Sequence, residues 1–468
     1  MNSQSLKLKP LISEAIEDPQ LRSAVRKAMQ STRESRAGLV AQYDEWQHWR
    51  DRAHAIKHEV MNHLDEYLEQ FESNCAKKGI HVHWARDAEQ ARQLSLDLIK
   101  HHKIKNIVKS KSLTSEEIHL NAFLEKNGIH PLETDLGEYI IQLKQQTPSH
   151  LIIPAIHLSR QEIGRLFQEK LGIDYTDDPE ELLQVARQKL RERFLAAEMG
   201  ISGANFAVAD PGALCIVENE ANAHHTTHLP PIHLAILGIE KILPDYEALA
   251  TFLRLLPVSA TSQKASTYVN ILAEPTFERM GEGAKEMHII LLDNGRSRIL
   301  ADPQLRETLF CIRCGACLNH CPVYEHIGGH AYGWVYMGPI GITLSPQFLG
   351  RKEAKMSPFL SSLCGACYEV CPVKINIPHH LVRLRNDVIE SEANSPLEAL
   401  VIRAWAALAQ RPQLYRMATW LPGKAQQLLP KDKAFPVPGY TKERSLGRFD
   451  SKGFRNRFHE WQKQRGQQ

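Results

Sequence analysis

Seven of the nine cysteines in this 468-residue chain fall between positions 311 and 371, in two short runs. The first run is Cys311-x2-Cys314-x2-Cys317-x3-Cys321, followed directly by Pro322. Thiolates at three-residue intervals on a tight loop can reach three corners of one [4Fe–4S] cube, and the fourth cysteine, which begins the next turn, then ligates a second cluster. The spacing is that of bacterial-type ferredoxins and predicts iron–sulfur chemistry.

A structural zinc ion is the main alternative for clustered cysteines. Structural zinc sites use paired C-x2–4-C knuckles that a longer segment separates. Four cysteines at 2-2-3 spacing with a proline behind them do not suit one tetrahedral ion. The pattern therefore favours iron–sulfur clusters over zinc.

The second run, Cys364-x2-Cys367-x3-Cys371 before Pro372, has Ser361 where a full quartet would carry a fourth cysteine. Because the last cysteine of each run ligates the cluster of the other run, the assignment is crossed. The predicted ligands are Cys311, Cys314, Cys317 and Cys371 for cluster 1, and Cys321, Cys364 and Cys367 for cluster 2.

Cluster 2 therefore has three thiolates, and three interpretations of the missing ligand compete. Ser361 or a water could complete a [4Fe–4S] cluster, the corner could be empty and give [3Fe–4S], or an open iron could bind a substrate as a Lewis acid. Because net charge is one of the terms that set a cluster potential, fewer thiolates should raise the potential of cluster 2 above that of cluster 1.

Alternating strand and helix patterns before the cysteines predict an α/β domain. From residue 79 to about 300, β-rich runs alternate with helical runs of 10–15 residues, which indicates βαβ units and a parallel sheet covered on both faces. The predicted strands and hairpin cover 79–85, 106–110, 130–134, 150–156, 204–220, 232–239 and 286–295. The predicted helices cover 87–102, 114–128, 137–143, 159–199, 348–356 and 396–410.

We divide the chain into four parts on these patterns. They are a helical N-terminal segment (1–70), an α/β domain (71–300), a ferredoxin-type domain (301–390), and a C-terminal helical segment that ends in a polar tail (391–468). The link between the cysteine runs is longer than in a compact two-cluster ferredoxin and resembles the helical ferredoxin domains of respiratory iron–sulfur subunits. The fold class is therefore α/β with an added α-helical cluster domain.

Polar residues gather where two predicted strands end. In an open α/β sheet, ligands bind beyond the carboxyl ends of the strands. The first of these strand ends leads into a helix whose start we predict to carry a Thr114–Glu117 capping box. Lysines beside the start of a helix attract anions. We expect a small carboxylate there, with caps and solvated loops as the alternative. The candidate residues are Lys109, Lys111, Ser112, Thr114, Glu133 and Asp135. The sequence contains no P-loop, no Rossmann glycine motif after a strand and no nucleophile elbow.

The totals narrow the class of protein. A balance of 57 basic against 54 acidic residues gives no basic field for nucleic acid, and no segment is apolar enough for a signal peptide or a membrane helix. We therefore expect a cytoplasmic protein. We interpret Cys75 and Cys215 as inert thiols. We interpret the histidines of the HHTTH segment (224–228) as ordinary loop residues.

The whole arrangement resembles the lactate utilization protein B family. The resemblance rests on KSKSLTSEEIHLN, ETDLGE, NFAVADPGALCIVENEANA, LLDNGRS and both cysteine runs, and it covers roughly residues 20–420. It implies an iron–sulfur subunit of a bacterial system that oxidises L-lactate to pyruvate for growth. It also implies a coenzyme A-transferase- or sugar-isomerase-like α/β fold, and cluster ligands at the seven cysteines named above.

The resemblance further implies two partner subunits, one cysteine-rich and one with a related α/β domain. It names no catalytic residue in the α/β domain. Two other functions stay open on the sequence: a general redox adaptor for another dehydrogenase, and a non-redox lyase or hydratase that uses the open corner of cluster 2.

Overall fold

The β-rich runs of the sequence form two separate sheets. The computed structural model describes residues 7–275, 284–390, 396–425 and 453–465. Its strands are β1 (His81–Ala85), β2 (Ile107–Lys109), β3 (Leu132–Glu133), β4 (Met199–Ser202), β5 (Phe206–Val208), β6 (Ala213–Glu218), β7 (Ile232–Gly238), β8 (Ile242–Leu243), β9 (Tyr268–Leu272) and β10 (Glu286–Leu292).

The first sheet has six strands in the order β1-β10-β7-β4-β2-β3, and all its pairs are parallel. Alternate residues of β7 and β10 enter different hydrophobic cores, one with Leu234 and Ile290, the other with Leu237 and Ile289. Such burial on both sides is typical of a parallel sheet. The predicted parallel sheet with two covered faces is confirmed.

The second sheet has four strands in the order β8-β5-β6-β9. The hairpin predicted over 204–220 forms its centre, because β5 and β6 pair antiparallel with Phe206 opposite Cys215. We expected this hairpin to belong to the same sheet as the parallel strands. It instead forms a second sheet together with β8 and β9. Neither of the two short outer strands was predicted from the sequence.

Helices surround both sheets and continue through the cysteine region up to residue 390. They are α1 (Leu8–Glu17), α2 (Pro19–Val40), α3 (Trp46–Asn62), α4 (Leu64–Lys77), α5 (Ala88–His101), α6 (Leu113–Glu117), α7 (Leu120–Lys126), α8 (Leu136–Lys144), α9 (Arg160–Leu171), α10 (Pro179–Leu195), α11 (Asn222–His228), α12 (Tyr246–Ala260), α13 (Arg296–Leu300), α14 (Ala316–Asn319), α15 (Pro322–Ile327), α16 (Gly338–Phe348), α17 (Ala366–Val370) and α18 (Ile377–Glu390). Short 3-10 helices lie at Ile239–Lys241, Arg306–Phe310, His330–Tyr332 and Ser357–Phe359.

The chain divides into two units, residues 1–388 and 389–468. The second unit contains the helices α19 (Pro396–Ala409), α20 (Pro412–Ala425) and α21 (Gly453–Arg465). The helix predicted over 396–410 is confirmed, while most of what we read as a polar tail is the helix α21. None of the described helices is long and apolar enough to cross a bilayer.

The strand predicted over 150–156 is wrong. The His150 ring accepts hydrogen bonds from the backbone N–H groups of Ile152 and Ile153 at 3.0 and 3.1 Å, which closes a turn instead of a ladder. Pro154 follows and cannot donate to a strand. The segment therefore forms irregular structure, and its apolar residues face the site described below.

The helix predicted over 114–128 is two helices. His119 adopts a left-handed conformation with φ 51° between α6 and α7. The expected Thr114–Glu117 capping box is also wrong, because Ser112 caps α6 and accepts the N–H of Ser115. The carboxylate of Glu117 instead binds a buried arginine.

Two further predictions differ from the structure. Residues 349–356 form turns, since α16 ends at Phe348 and Gly350 follows with φ 107°. The HHTTH segment lies in α11 and not in a loop. The His224 ring contacts Asn270, and the His228 ring contacts the backbone carbonyl of His224.

The N-terminal helices pack against the cysteine region. α2 packs on α14 and α15, and α3 packs on the 3-10 helix that leads into the first cysteine run. One hydrophobic core runs without interruption from Val25 and Phe71 through the second sheet to Cys314 and Leu318. The helical segment, the α/β part and the cysteine region are therefore joined by continuous packing.

Candidate functional site

Both cysteine runs fold into the same local shape. Each contains a Cys-Gly-Ala-Cys loop whose glycine has a positive φ, 75° at Gly315 and 87° at Gly365, and each glycine starts a short helix. Glycine adopts this conformation without the Cβ clash that other residues suffer. The helices that follow, α14 and α17, pack against each other and bring the two runs face to face.

Four cysteines line one small cavity, with the proline and apolar residues of the second run closing it. They are Cys311, Cys314, Cys317 and Cys371, here called the four-cysteine set. Three belong to the first run and one, Cys371, to the second, and they are the same four residues that the spacing predicts as ligands of cluster 1.

The remaining cysteines also lie together. Cys321, Cys364 and Cys367, here called the three-cysteine set, interact electrostatically with one another. Cys317 is close enough to Cys367 to interact with it as well, so the two sets are neighbours. Cys364 is exposed, whereas the four-cysteine set is buried apart from the half-buried Cys311.

The spacing of the sulfur atoms suits a cage better than one ion. Among residues for which the structure gives positions, no three cysteine sulfurs lie within 4.8 Å of one another. A tetrahedral zinc ion with Zn–S bonds of about 2.3 Å would hold its sulfurs about 3.8 Å apart. In this structure the sulfurs are therefore too far apart for one zinc ion, and an all-thiol donor set is the kind that iron–sulfur clusters use.

Backbone donors point at the sulfurs. Arg313, Tyr324 and Ile375 direct their N–H groups to the sulfurs of Cys311, Cys321 and Cys371 at 3.4, 3.5 and 3.3 Å. Such hydrogen bonds favour the thiolate and tune the potential of a bound cluster.

Burial opposes ionisation of these thiols. It raises the pKa of Cys314 to about 12 and that of Cys371 to about 11, although backbone N–H groups and nearby arginines act in the opposite direction. Metal binding requires the thiolate form and supplies the free energy for deprotonation. We therefore expect these thiols to ionise only when a metal binds, and we expect metal binding to weaken as the pH falls.

Arginines that the sequence analysis missed surround the four-cysteine set. Arg50 of α3 donates to the carbonyl of Cys371 at 2.9 Å, and Arg36 of α2 donates to the carbonyl of Val370 at 3.0 Å. Arg313 lies between two of the cysteines. No sequence signal distinguished Arg36 and Arg50 from other charges on helix faces, because the N-terminal segment meets the cysteine region only in the tertiary fold.

Ser361 lies at the position of the missing cysteine. It is half-buried, and its hydroxyl accepts the N–H of Leu363 at 3.1 Å. Its carbonyl accepts a hydrogen bond from Arg385 at 2.8 Å. The side chain thus has a local backbone partner, and the loop that carries it is anchored.

The residues of the expected carboxylate pocket separate into two groups. Lys111, Ser112 and Asp135 line a cavity of about 470 Å³ at the carboxyl ends of β2, β3, β4 and β7. Lys109 and Glu133 form a buried ion pair at 2.5 Å instead and do not line it.

Below that cavity, burial lowers the pKa of Lys109, but Glu133 and Glu116 outweigh it and raise the pKa above the usual value. Thr114 is buried and also lies outside the lining. The sequence alone could not distinguish Lys109, which forms a structural ion pair, from Lys111, which lines the cavity.

The large cavity reaches the cysteines. Its lining includes Cys311 and Arg313, together with Lys57 of α3 and Lys241 beyond β7. None of these residues belonged to the pocket that the sequence suggested. The α/β part, the N-terminal helices and the first cysteine run therefore share one cavity.

A network of buried charges joins the α/β part to the cysteine region. Arg296 is fully buried and binds the carboxylate of Glu117 through two N–H groups at 2.9 and 2.8 Å, and it also pairs with Glu240. Glu240 in turn contacts Arg313 at 3.4 Å, and Tyr336 donates to Glu117 at 2.7 Å. Paired in this way, buried charges are tolerated.

The outlying cysteines are part of the core. Cys75 and Cys215 are fully buried in the main hydrophobic core, and burial raises the pKa of each thiol to about 12. This agrees with the prediction that they are inert. Among the N-terminal histidines, His54 contacts the carbonyl of Val373 and His63 contacts Glu66, so they do not form a common site.

Three family models match the chain in succession. Residues 68–292 match the LUD domain, residues 307–375 match the 4Fe-4S dicluster domain, and residues 383–467 match the C-terminal region of lactate utilisation protein B. The second match covers both cysteine runs. The architecture is thus a mixed α/β domain with a parallel sheet, followed by an iron–sulfur domain.

Curated relatives match almost the whole chain. Lactate utilization protein B of Bacillus velezensis is 40% identical over 98% of this chain and 97% of its own length. The protein of the same name from Bacillus subtilis strain 168 is 39% identical over 97% and 95%. A crystal structure of a DUF162 family protein from Deinococcus radiodurans aligns with a TM-score of 0.28 at 11% identity, covering 49% of this chain and 98% of that one. The chain belongs to the lactate utilization protein B family.

Proposed function

We propose that this protein is the iron–sulfur electron-transfer subunit of a complex that oxidises L-lactate to pyruvate, and that it enables growth on lactate. Membership of a family named for lactate utilization and the match to a 4Fe-4S dicluster domain support the proposal. In it, cluster 1 is held by the four-cysteine set and cluster 2 by the three-cysteine set. Cluster 1 is of the [4Fe–4S] type. Cluster 2 is either a [4Fe–4S] cluster whose fourth ligand is not a cysteine, or a [3Fe–4S] cluster.

One observation carries this function: the two cysteine sets lie side by side at different depths. The four-cysteine set borders the large cavity through Cys311, and the three-cysteine set reaches the surface at Cys364. When bound, iron–sulfur clusters supply reversible one-electron reduction. Two adjacent sites, one interior and one superficial, are what a relay between a buried donor and an external partner requires.

The chain's own residues set the electrostatics of this relay. Arg36 and Arg50 place positive charge beside Cys314 and Cys371 and are held by backbone carbonyls of the second run. Positive charge near a cluster favours its reduced form, since reduction adds negative charge. These arginines would offset the fourth thiolate of cluster 1 and bring the two potentials closer together.

The proposal includes a wider setting. The protein would work in the cytoplasm with two partner subunits, one cysteine-rich and one with a related α/β domain. The four parts 1–70, 71–300, 301–390 and 391–468 would then serve as scaffold, ligand domain, relay and C-terminal contact region. Within it, the α/β part resembles coenzyme A-transferase folds, and the relay resembles helical ferredoxins.

A genetic test with matched controls addresses the function. We expect deletion of this gene alone to abolish growth on L-lactate and to leave growth on glucose intact. Wild-type protein should restore growth, and Cys314→Ser should not, although immunoblots show equal amounts of both. Unimpaired growth of the deletion strain on L-lactate would overturn the proposal. Impaired growth on several unrelated substrates would indicate a general redox adaptor instead.

A further inference from the structure

The cavity of about 470 Å³ has no assigned ligand. It lies between the carboxyl ends of the parallel strands, the second sheet and the first cysteine run. Ligands of α/β proteins bind at such strand ends, and pockets of a few hundred Å³ accept small organic molecules. Apolar residues form much of its wall, including Ile152, Phe206 and Leu256.

Two lysines of this cavity have no carboxylate in direct contact with their ammonium groups. Lys57 is 2% exposed, and its ammonium donates to the carbonyl of Glu240, while the ammonium of Lys241 donates to the carbonyl of Ala204 at 2.7 Å. Within the described part of the chain, neither ammonium forms an ion pair within 4.0 Å; Glu240 attracts both electrostatically, and burial lowers the pKa of each lysine to about 8. An ammonium has three donors, so each keeps donors for a further partner.

Arg313 adds a third cation to the same wall. The residue is 8% exposed, and its guanidinium stacks over Tyr336 with 4.6 Å to the ring centroid. One nitrogen, Nη2, contacts Glu240 at 3.4 Å, but Nη1 has no hydrogen-bond partner among the residues with assigned positions. A buried donor without a partner is costly, which points to a ligand.

The acidic residues of the lining are already engaged. Asp135 accepts the N–H of Glu138 at 2.9 Å, Glu218 accepts two backbone N–H groups at 2.7 Å, and Glu240 pairs with Arg296. Burial, with Asp135 and Glu218 nearby, raises the pKa of Glu220, which favours its neutral form. The unsatisfied polar groups of the cavity are therefore mainly cationic donors.

We propose that this cavity binds a small 2-hydroxy or 2-oxo carboxylate, with the carboxylate held by Lys241 and Arg313 and the carbon chain against the apolar wall. Lys111, which donates to the carbonyl of Ile152 at 3.0 Å and lies 3.8 Å from Glu138, flanks the same space. The choice of acid rests on the proposed function, whereas the need for an anion rests on the cavity alone.

The position of Arg313 links this ligand to the neighbouring cysteines. Arg313 lines the cavity, and the thiolate of Cys311, which shares the wall, interacts with it electrostatically. A bound anion adds negative charge beside the four-cysteine set and so opposes reduction there. By reciprocity, reduction of that site weakens binding of the anion by the same factor. A tenfold weaker binding corresponds to a midpoint potential about 59 mV lower for a one-electron couple.

Calorimetry on anaerobically purified, cluster-containing protein tests the site directly. The probes are L-lactate, 2-hydroxyisobutyrate, which has no α-hydrogen to lose, and lactamide, which lacks the negative charge. We expect both acids to bind and lactamide to bind at least tenfold more weakly. Lys241→Gln and Arg313→Gln should each weaken binding of the acids about tenfold or more, because charged hydrogen bonds are lost. The surface variant Lys170→Gln should match wild type.

A redox titration with 2-hydroxyisobutyrate provides the second readout. We expect the midpoint of the cluster at the four-cysteine set to fall and the other midpoint to stay, and we expect the shift to shrink in Lys241→Gln. If Arg313→Gln loses iron, Lys241→Gln decides alone. The inference is overturned if no acid binds, if lactamide binds as well as lactate, if Lys241→Gln is without effect, or if neither midpoint moves. Those outcomes leave the growth test of the function unaffected.

Discussion

At the scale of residues, the crossed ligation is the most specific expectation. Cys371 belongs to the second run but lines the cavity of the first, and Cys321 belongs to the first run but lies with the second. If each run ligated its own cluster, these two cysteines would exchange roles. Their variants therefore separate the two arrangements.

We expect Cys371→Ser to lose the same electron paramagnetic resonance signal as Cys314→Ser, and Cys321→Ser to lose the same signal as Cys364→Ser. The reason is that a cube with a missing thiolate binds iron less well or changes its type. Iron and sulfide counts on anaerobic preparations check the size of each loss. The opposite pairing of signals would rule out crossed ligation.

Ser361 gives a second prediction at this scale. Replacing it by cysteine supplies a fourth thiolate to the three-cysteine set, on a loop that Arg385 already anchors. We expect Ser361→Cys to lower the midpoint potential of that cluster and to preserve growth on L-lactate. Added anionic charge disfavours reduction, whereas a relay still functions at a shifted potential.

The matched control for Ser361→Cys is Ser362→Cys, which places a thiol on the adjacent exposed residue. It should leave the potential unchanged. A lyase or hydratase that needs an open iron would lose its activity in Ser361→Cys, so loss of growth with an intact cluster would favour that alternative.

At the scale of elements, the site depends on how α6, α13 and the first cysteine loop are held together. Arg296 joins Glu117 of α6 to Glu240 beyond β7, and Glu240 contacts Arg313 between the cysteines. All four side chains are buried. Removing the central cation would leave Glu117 without a cationic partner and Glu240 with only its contact to Arg313 at 3.4 Å.

We expect Arg296→Met to lower the free energy of unfolding by about 3–5 kcal/mol, the cost of breaking a buried ion pair by removing one partner. Urea unfolding followed by circular dichroism measures it. The control is Arg86→Gln, which removes an exposed pair with Asp87 and should cost less than about 1 kcal/mol. Equal effects of both variants would contradict the role of the network.

At the scale of the whole molecule, buried neutral histidines make stability depend on pH. His233 lies in β7, 1% exposed, with its ring 2.7 Å from the Ser202 hydroxyl. Burial, together with His228 and His288, lowers its pKa to about 3. In the unfolded chain the pKa is about 6.5, so between these values the unfolded state binds a proton that the folded state does not.

The free energy of unfolding that the neutral His233 contributes is therefore fully present above a pH of about 6.5, and it decreases as the pH falls toward 3. For His233 we expect a loss of about 2 kcal/mol between pH 7.5 and 5, since each pKa unit corresponds to about 1.4 kcal/mol. His233→Gln should flatten the pH dependence of urea unfolding by that amount, and the exposed His48→Gln should not. Parallel pH curves for wild type and His233→Gln would refute the assignment.

The sequence by itself determined the elements whose signal is local. Strict cysteine spacing predicted the chemistry and the crossed sets, because ligand geometry restricts how far apart neighbouring thiolates can lie. Apolar runs such as 232–239 predicted the central strands, because a strand buried on both faces must be apolar throughout. The strand over 150–156 failed because a histidine ring competed for its backbone donors.

Only the tertiary structure decided what the site contains. Lys109 and Lys111 stand two residues apart, yet one forms a buried ion pair with Glu133 and the other faces the cavity. Lys57, Lys241 and Arg313 come from distant parts of the chain and meet at one wall. A side chain's charge is local, but whether that charge is neutralised depends on partners that packing brings from elsewhere, and spacing along the chain does not encode them.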